Sequence, residues 1–434
     1  MKSKLQCATG LVSLSLMLPS AADIIYGSLQ QIIPTDYTGV TVNVGDGTFN
    51  PFFGGFGVAN NNNLQPFRLA ATGLSTIVDF STGVFINSGS GSLATGAGAS
   101  LDQLDTQFTA GEQGYVGFKL DGTNYGWMRV VFTNNTSTPV TPMVKDWAYD
   151  NTGAAIKTGW INTDIVSGTT QTITLNPATS ESFTLGSVLA NASGSITNSV
   201  LKTGAGTTVL NAANTYSGAT TVTGGTLALS GTGSIANTTG INVQGGATFD
   251  VTALSGGFAL GATQTLRGDG TLNATGRNIA VAGTITPGNG IGQMSVSTNM
   301  LQFGSTSALD IEMTPGLPPT AGSNYGQLAL TGGISIASLA AMNLTALGSG
   351  AWHLGDIYYL INNDGADAIS GAFNGYTEGA SFTFASQLFK VTYQADSATT
   401  SFIGGNDMAV QVIPETSAAL LGGLGMLTLL RRRR

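Results

Sequence analysis

Along most of this chain apolar and polar positions alternate in short runs. Tyr115-Val116-Gly117-Phe118-Lys119-Leu120 and Ser307-Ala308-Leu309-Asp310-Ile311-Glu312 are examples. A period of two places one set of side chains on each face of a strand, and the β-branched and aromatic residues in these runs suit strands. Gly and Asn break the runs at intervals, as turns require. No long interior stretch carries a helical period, so the pattern predicts an all-β protein. The two ends differ. Residues 7–18 are apolar with small polar interruptions, and 417–430 is an uncharged stretch of mostly Ala, Leu, Gly and Met.

Three textures divide the interior. In 23–165 the strand candidates are 39–44, 74–80, 115–120, 125–133 and 144–149. Gly45-Asp46-Gly47, Asp121-Gly122 and Asn134-Asn135 supply turns between them. This pattern predicts an antiparallel β-sandwich. Residues 166–186, rich in Thr, Ser and Gly, read as a linker.

In the middle, the run from Leu201-Lys202-Thr203-Gly204-Ala205-Gly206 through Asn214-Thr215-Tyr216-Ser217-Gly218 to Gly225-Thr226-Leu227-Ala228-Leu229 sets short β segments between glycines. Over 201–229 it closely resembles the autotransporter-associated β-strand repeat of bacterial surface proteins. Weaker echoes follow at 241–251, 264–272 and 279–285. One rung cannot bury an apolar face, so such units stack. The expectation is a right-handed parallel β-helix over 187–300, with about five coils and a length of about 24 Å at the strand spacing. Gly283-Thr284-Ile285-Thr286-Pro287-Gly288-Asn289-Gly290 is similar to a turn near the end of such solenoids. Residues 301–411 are expected to cap the last coil and blunt its open edge.

The ends read as addresses. Lys2 and Lys4 precede the apolar 7–18 stretch, and Ser20-Ala21-Ala22 offers small residues for cleavage between Ala22 and Asp23. At the other end Pro414-Glu415 precedes 417–430, and Arg431, Arg432, Arg433 and Arg434 follow it. As a helix, 417–430 would rise about 21 Å, short of the roughly 30 Å hydrocarbon core. Snorkelling arginines extend that reach, and their charge is retained on the cytoplasmic side. Pro-Glu, a short hydrophobic helix and an arginine cluster together resemble the PEP-CTERM sorting signal of Gram-negative bacteria over 412–434. The family usually has a second proline where this chain has Thr416. The resemblance implies transient inner-membrane retention and processing near Pro414 and Glu415 by an exosortase-type enzyme. The runs at 115–120 and 125–130, with Lys145-Asp146-Trp147-Ala148-Tyr149, resemble a β domain that often precedes such tails.

Composition narrows the chemistry. Only 9% of the 434 residues are charged, and Gly reaches 62. The formal net charge is −8, and Lys2, Lys4 and the four terminal arginines supply six of the 15 basic residues, so the interior is more acidic still. An acidic surface repels phosphate backbones, so no nucleic-acid partner is expected. Cys7 is the single cysteine and lies before the expected cleavage point, which leaves no disulfide for the mature chain.

Candidate chemistry is sparse. His353, the single histidine, stands between Trp352 and Leu354 with no nucleophile elbow nearby, so a catalytic triad is not expected. Asp310 and Glu312 would share a strand face about 6.6 Å apart, a separation used by inverting glycosidases. Simple alternation explains them better, with Leu309, Ile311 and Met313 facing in. Asn363-Asp364-Gly365-Ala366-Asp367 and Gly404-Gly405-Asn406-Asp407 hold oxygen ligands but lack EF-hand spacing, and turn chemistry accounts for both. No metal site and no cofactor are expected. Trp127 and Arg129, with Trp147 and Tyr149, would make a glycan-stacking platform if they face outward.

The expectation is therefore an exported, non-enzymatic structural protein of the cell surface or extracellular matrix. Its expected partners are the secretion machinery, an exosortase-type processing enzyme, the inner membrane and exopolysaccharide. A carbohydrate-binding or adhesive protein is the alternative. A polysaccharide lyase or hydrolase ranks third, because 187–300 offers only Lys202, Arg267 and Arg277 as cations and only Asp250 and Asp269 as acids.

Overall fold

The computed structural model describes residues 23–415, apart from residues 35, 62, 110 and 168 and segments 53–56, 69–76, 94–107, 132–140, 193–195 and 365–366. The leader 1–22, the Asn134-Asn135 turn, the start of the 74–80 strand, and the 417–430 stretch with Arg431, Arg432, Arg433 and Arg434 lie outside the described residues. Among the described residues every regular element is a strand. No helix among them is long and apolar enough to cross a membrane.

Two sheets carry the fold. In the nine-stranded sheet, Ile161–Ser167 runs antiparallel to Thr170–Leu175. Upon the latter stack Thr197–Lys202, Thr220–Val222, Gly240–Val243, Thr265–Gly268, Thr284–Pro287, Ala308–Met313 and Ala341–Ala346, all in parallel. The second sheet contains a matching parallel run: Ser182–Leu185, Thr207–Leu210, Thr226–Gly231, Thr248–Leu254, Thr271–Val281, Gln293–Phe303, Gln327–Ile336 and Ile357–Asn363. The chain passes from one sheet to the other and back, and each circuit is one coil of a parallel solenoid. Register breaks between Ala274 and Asn278 and between Ser297 and Met300 turn the later coils into a third wall, in which Phe258–Leu260 also pairs.

The alternation seen in the sequence decides which side chains point inward. Leu227, Phe249, Leu272, Val296 and Leu330 stand in register on successive strands, and all are buried. Burying one such side chain stabilises by about 1.5–3 kcal/mol. The outer positions of the same strands form a hydroxyl column: Ser182, Thr207, Thr226, Thr248, Thr271 and Ser295.

Antiparallel strands close both ends of the longer sheet. At the start, Asp23–Ile32 pairs in parallel with Ser182–Leu185 and antiparallel with Met143–Asp150. Asn124–Val131, Gln113–Leu120 and Leu64–Arg68 extend the sheet outward. A three-stranded sheet of Val42–Val44, Gly47–Phe52 and Gly57–Asn60 covers one face, where Val42, Val44 and Phe49 pack with Phe118, Leu120, Met128 and Val130. The other face buries Tyr115, Trp127 and Ala148 in the same core as the solenoid. At the far end, Ile357–Asn363 pairs antiparallel with Asp407–Val412, which pairs with Gln387–Ala395 and its hairpin partner Ser381–Phe384. In the longer sheet neither edge of the parallel run is left to template another chain, whereas the nine-stranded sheet ends on Ala341–Ala346.

The solenoid is longer than the sequence pattern predicts. Solenoid pairing starts at Thr170, inside the expected 166–186 linker, and continues to Gly371, inside the expected 301–411 cap. The nine-stranded sheet alone supplies eight parallel strands, against about five expected coils. Composition misleads because a coil wall is itself rich in Thr and Ser on its outer positions. The expected N-terminal β-sandwich also differs from the finding: the described strands between Asp23 and Asp150 form a sheet that continues the solenoid's own ladder, with a small sheet over one face.

Candidate functional site

The four residues predicted to form a glycan platform do not share a surface. Cross-strand partners Trp127–Ala148 and Arg129–Asp146 lie on one face of the N-terminal sheet, and Met128–Trp147 and Gly126–Tyr149 on the other. Trp127 is 0% and Arg129 1% exposed. The Trp127 indole donates to the Lys157 carbonyl at 3.1 Å and meets the Tyr115 ring edge-on at 5.4 Å. The outward platform at Trp127 and Arg129 is therefore corrected: both lie in the seam between the N-terminal sheet and the first solenoid strands. Trp147 and Tyr149 stack on the opposite face, ring centroids 6.0 Å apart, half-buried against the core under the small sheet.

Arg129 is the centre of a buried polar clamp. Its Nε and Nη2 grip both oxygens of Asp146 at 2.9 and 2.6 Å. Nη2 also donates to the Thr163 carbonyl, and Nη1 reaches Asp164 Oδ1 at 3.2 Å. Asp146 Oδ2 further accepts from the Thr163 N–H at 2.7 Å and the Tyr26 hydroxyl at 3.1 Å. Burial pulls the pKa of the guanidinium down, but the charge and hydrogen bonds of Asp146 outweigh it and raise the pKa above the ordinary value. The clamp joins three strands of the N-terminal sheet to Ile161–Ser167, the first strand of the nine-stranded sheet. It is completed internally, so its chemistry is structural.

The stretch 200–229, which supplies strands of two neighbouring coils to each sheet, shows why its residues are chosen. Lys202 is fully buried, and its ammonium donates to the carbonyls of Gly204 and Gly224, capping a corner from inside. Burial lowers its pKa from 10.5 to about 8. Asn214 links three neighbouring turns: its Oδ1 accepts from the Leu189 N–H at 2.9 Å, and its Nδ2 donates to Ala212 and Ser234 carbonyls at 2.9 and 3.1 Å. Tyr216, also buried, bonds Thr220 Oγ1 at 2.6 Å. A Cβ on Gly204 would sit 2.0 Å from the Pro177 carbonyl of the coil below. Gly225 takes a φ of 59°, open to glycine at little cost.

The remaining predicted residues stand apart. His353 Nδ1 lies 3.6 Å from Asp356 Oδ2 and is 45% exposed. Leu309, Ile311 and Met313 are buried while Asp310 faces out, accepting from Asn343 Nδ2 at 2.8 Å. Pro414 and Glu415 are exposed just past the last cap strand, and Asp23 begins the first strand. Ala22 and the terminal arginines lie outside the described residues. Among the described residues no three of His, Cys, Asp and Glu group closely enough to hold a metal ion. Sequence reasoning missed the Arg129–Asp146 pairing and the inward turn of Lys202. The one signal for the former was opposite charges on adjacent predicted strands. For the latter there was none, since Lys202 sits at an alternation position that a charged residue rarely fills.

Comparison with known families agrees with this stretch. Residues 200–229 match the family model of the passenger-associated transport repeat. No curated protein matches the chain. The match covers a small part of the chain and identifies that stretch as similar to the repeat.

Proposed function

We propose that this chain is an exported, non-enzymatic structural protein whose solenoid serves as a rigid spacer at the cell surface or in the extracellular matrix. The observation that carries the reading is the repeat match within a continuous parallel solenoid, since that repeat's name ties it to transported passenger segments. Three features support it. The core runs unbroken from Ile24 to Val412, antiparallel strands cover both ends of the parallel run in the longer sheet, and the clamped N-terminal sheet gives the rod a stiff end. The Ala22–Asp23 leader boundary and the PEP-CTERM-like tail, with Pro414, Glu415 and the four terminal arginines, supply the route: translocation, retention in the inner membrane, then processing by an exosortase-type enzyme. In this reading a free-standing sandwich is not needed, because the 23–165 unit acts as the solenoid's base.

The experiment is surface proteolysis and antibody labelling of producing cells, for the full chain and for a truncation lacking 416–434. Labelling of the full chain at the surface, with the truncation escaping into the medium, supports the reading. Labelling only after lysis overturns it. A depolymerisation screen on acidic and neutral polysaccharides tests the enzymatic alternative, and turnover there would displace the structural one.

A further inference from the structure

Early coils turn from the nine-stranded sheet into the longer sheet through short corners, at 203–206, 223–225 and 244–247. In the last two coils the same corner opens into loops, 314–326 and 347–356. The two loops adjoin, since a Cβ on Gly350 would sit 3.2 Å from the Pro315 Cβ. The chain leaves the fold at this corner. The Gly355 N–H donates to the Val412 carbonyl at 2.9 Å, the Ile413 N–H donates to the Leu388 carbonyl at 2.9 Å, and Gln387 Nε2 donates to the Ile413 carbonyl at 3.1 Å. Among the described residues Ile413 is the last to bond the body.

The surface of this corner is apolar. Leu317 is 70% exposed, Leu354 64% and Leu347 36%. Trp352, half-buried, meets Tyr358 and Phe389 edge-on at 5.4 and 5.3 Å. Loop 314–326 holds no charged residue, and 347–356 holds only Asp356 and the titratable His353. Leucines exposed singly are ordinary, but three on two adjoining loops beside a tryptophan mark a contact surface. The reach of the chain says what lies opposite. Four residue steps separate Ile413 from Ser417, where the uncharged 417–430 stretch starts, a span of at most about 14 Å. With that stretch retained in the inner membrane, which the proposed function requires, this corner is the part of the fold held against the bilayer.

We propose that loops 314–326 and 347–356 seat on the lipid bilayer, with Leu317, Leu347 and Leu354 at the boundary of headgroups and acyl chains, until the tail is cut. This rests on tail retention, which belongs to the proposed function. Apolar side chains enter that boundary for the reason they enter a core, and a tryptophan suits it because its ring is apolar and its N–H polar. A corner almost free of carboxylates also avoids the repulsion that anionic headgroups exert on an acidic protein. A few leucines bind a bilayer only weakly and reversibly, as a single short lipid chain does, so the seating depends on the tail and is lost with it. Cutting the tail then releases both contacts at once.

The test reconstitutes the full chain in vesicles of phosphatidylcholine and phosphatidylglycerol. Cys7→Ser removes the native thiol, and Leu354→Cys carries an environment-sensitive fluorophore. A matched chain carries the label through Ile403→Cys. Ile403 is 70% exposed and lies beyond the opposite end of the Asp407–Val412 strand, which is about 17 Å long. In chains that float with the vesicles, the Leu354 label should shift to the blue and lose emission to nitroxide-bearing lipids, while the Ile403 label stays water-like. A floating chain whose Leu354 label stays water-like, or is quenched no more than that at Ile403, overturns the proposal and leaves tail retention standing. A blue shift that nitroxide lipids do not quench means that a second copy covers the patch, and overturns it as well. A chain that floats no better than the truncation lacking 416–434 overturns tail retention and this proposal together.

Discussion

Replacing Lys202 by methionine should flatten the alkaline side of the stability profile. In the fold Lys202 releases its proton near pH 8, whereas in the unfolded chain it does so near the ordinary 10.5. Through that window the unfolded chain holds more protons, so stability rises with pH. Each unit of difference corresponds to about 1.4 kcal/mol, and about 2 kcal/mol of the gain falls between about pH 7 and about pH 9.5. Methionine fills a similar volume and does not titrate. At neutral pH it removes a buried charge but leaves the Gly204 and Gly224 carbonyls without their donor, two effects of about 1–3 kcal/mol that oppose each other. The slope, rather than the absolute stability, is therefore the test. Urea unfolding followed by tryptophan fluorescence, for both proteins at both pH values, gives it. Buried tyrosines such as Tyr216 and Tyr115 hold their protons above the ordinary value and weaken the fold only at higher pH, and both proteins share them. If the stability difference between the two proteins is the same at both pH values, the ammonium is not buried as described.

Asp146→Ala should cost about 3–5 kcal/mol, because it leaves Arg129 charged and buried without its partner, and thermal unfolding should show it. Trp127→Ala should cost about 3–5 kcal/mol in the same assay and leave glycan-array binding unaltered; a loss of glycan binding without loss of stability would contradict the burial of that ring. Gly204→Ala should destabilise by about 2 kcal/mol or more, since its Cβ would strike the Pro177 carbonyl, whereas alanine at exposed Gly256, where the added Cβ meets nothing within 4 Å, should be tolerated.

What the sequence reveals here follows from which forces are local. Strand alternation is local, so Leu309, Ile311 and Met313 could be placed inward and Asp310 outward from the pattern alone. The 201–229 repeat was legible because its glycines meet neighbouring coils at fixed spacing, as Gly204 does against Pro177. The extent of the solenoid was not legible. Thr170–Leu175 has the same alternation as the later rungs, but its outer threonines read as linker until a neighbouring strand supplies the pairing. Nor could a linear pattern decide the face of Trp127 and Arg129. Both faces of that sheet are covered, one by the small three-stranded sheet and one by the solenoid core, so alternation marks two sets without saying which is wet. The apolar corner where the chain leaves the fold required segments far apart in sequence to meet, and only the antiparallel return of Asp407–Val412 brings them together.

The proposed function requires a stiff β rod to be delivered outside the cell and trimmed at both ends. Intact-mass analysis of the chain recovered from the surface or medium of its producing cell tests this most directly. The expected species begins at Asp23 and lacks Arg431, Arg432, Arg433 and Arg434. A full-length mass, from Met1 to Arg434, recovered from the cytoplasmic fraction would contradict it.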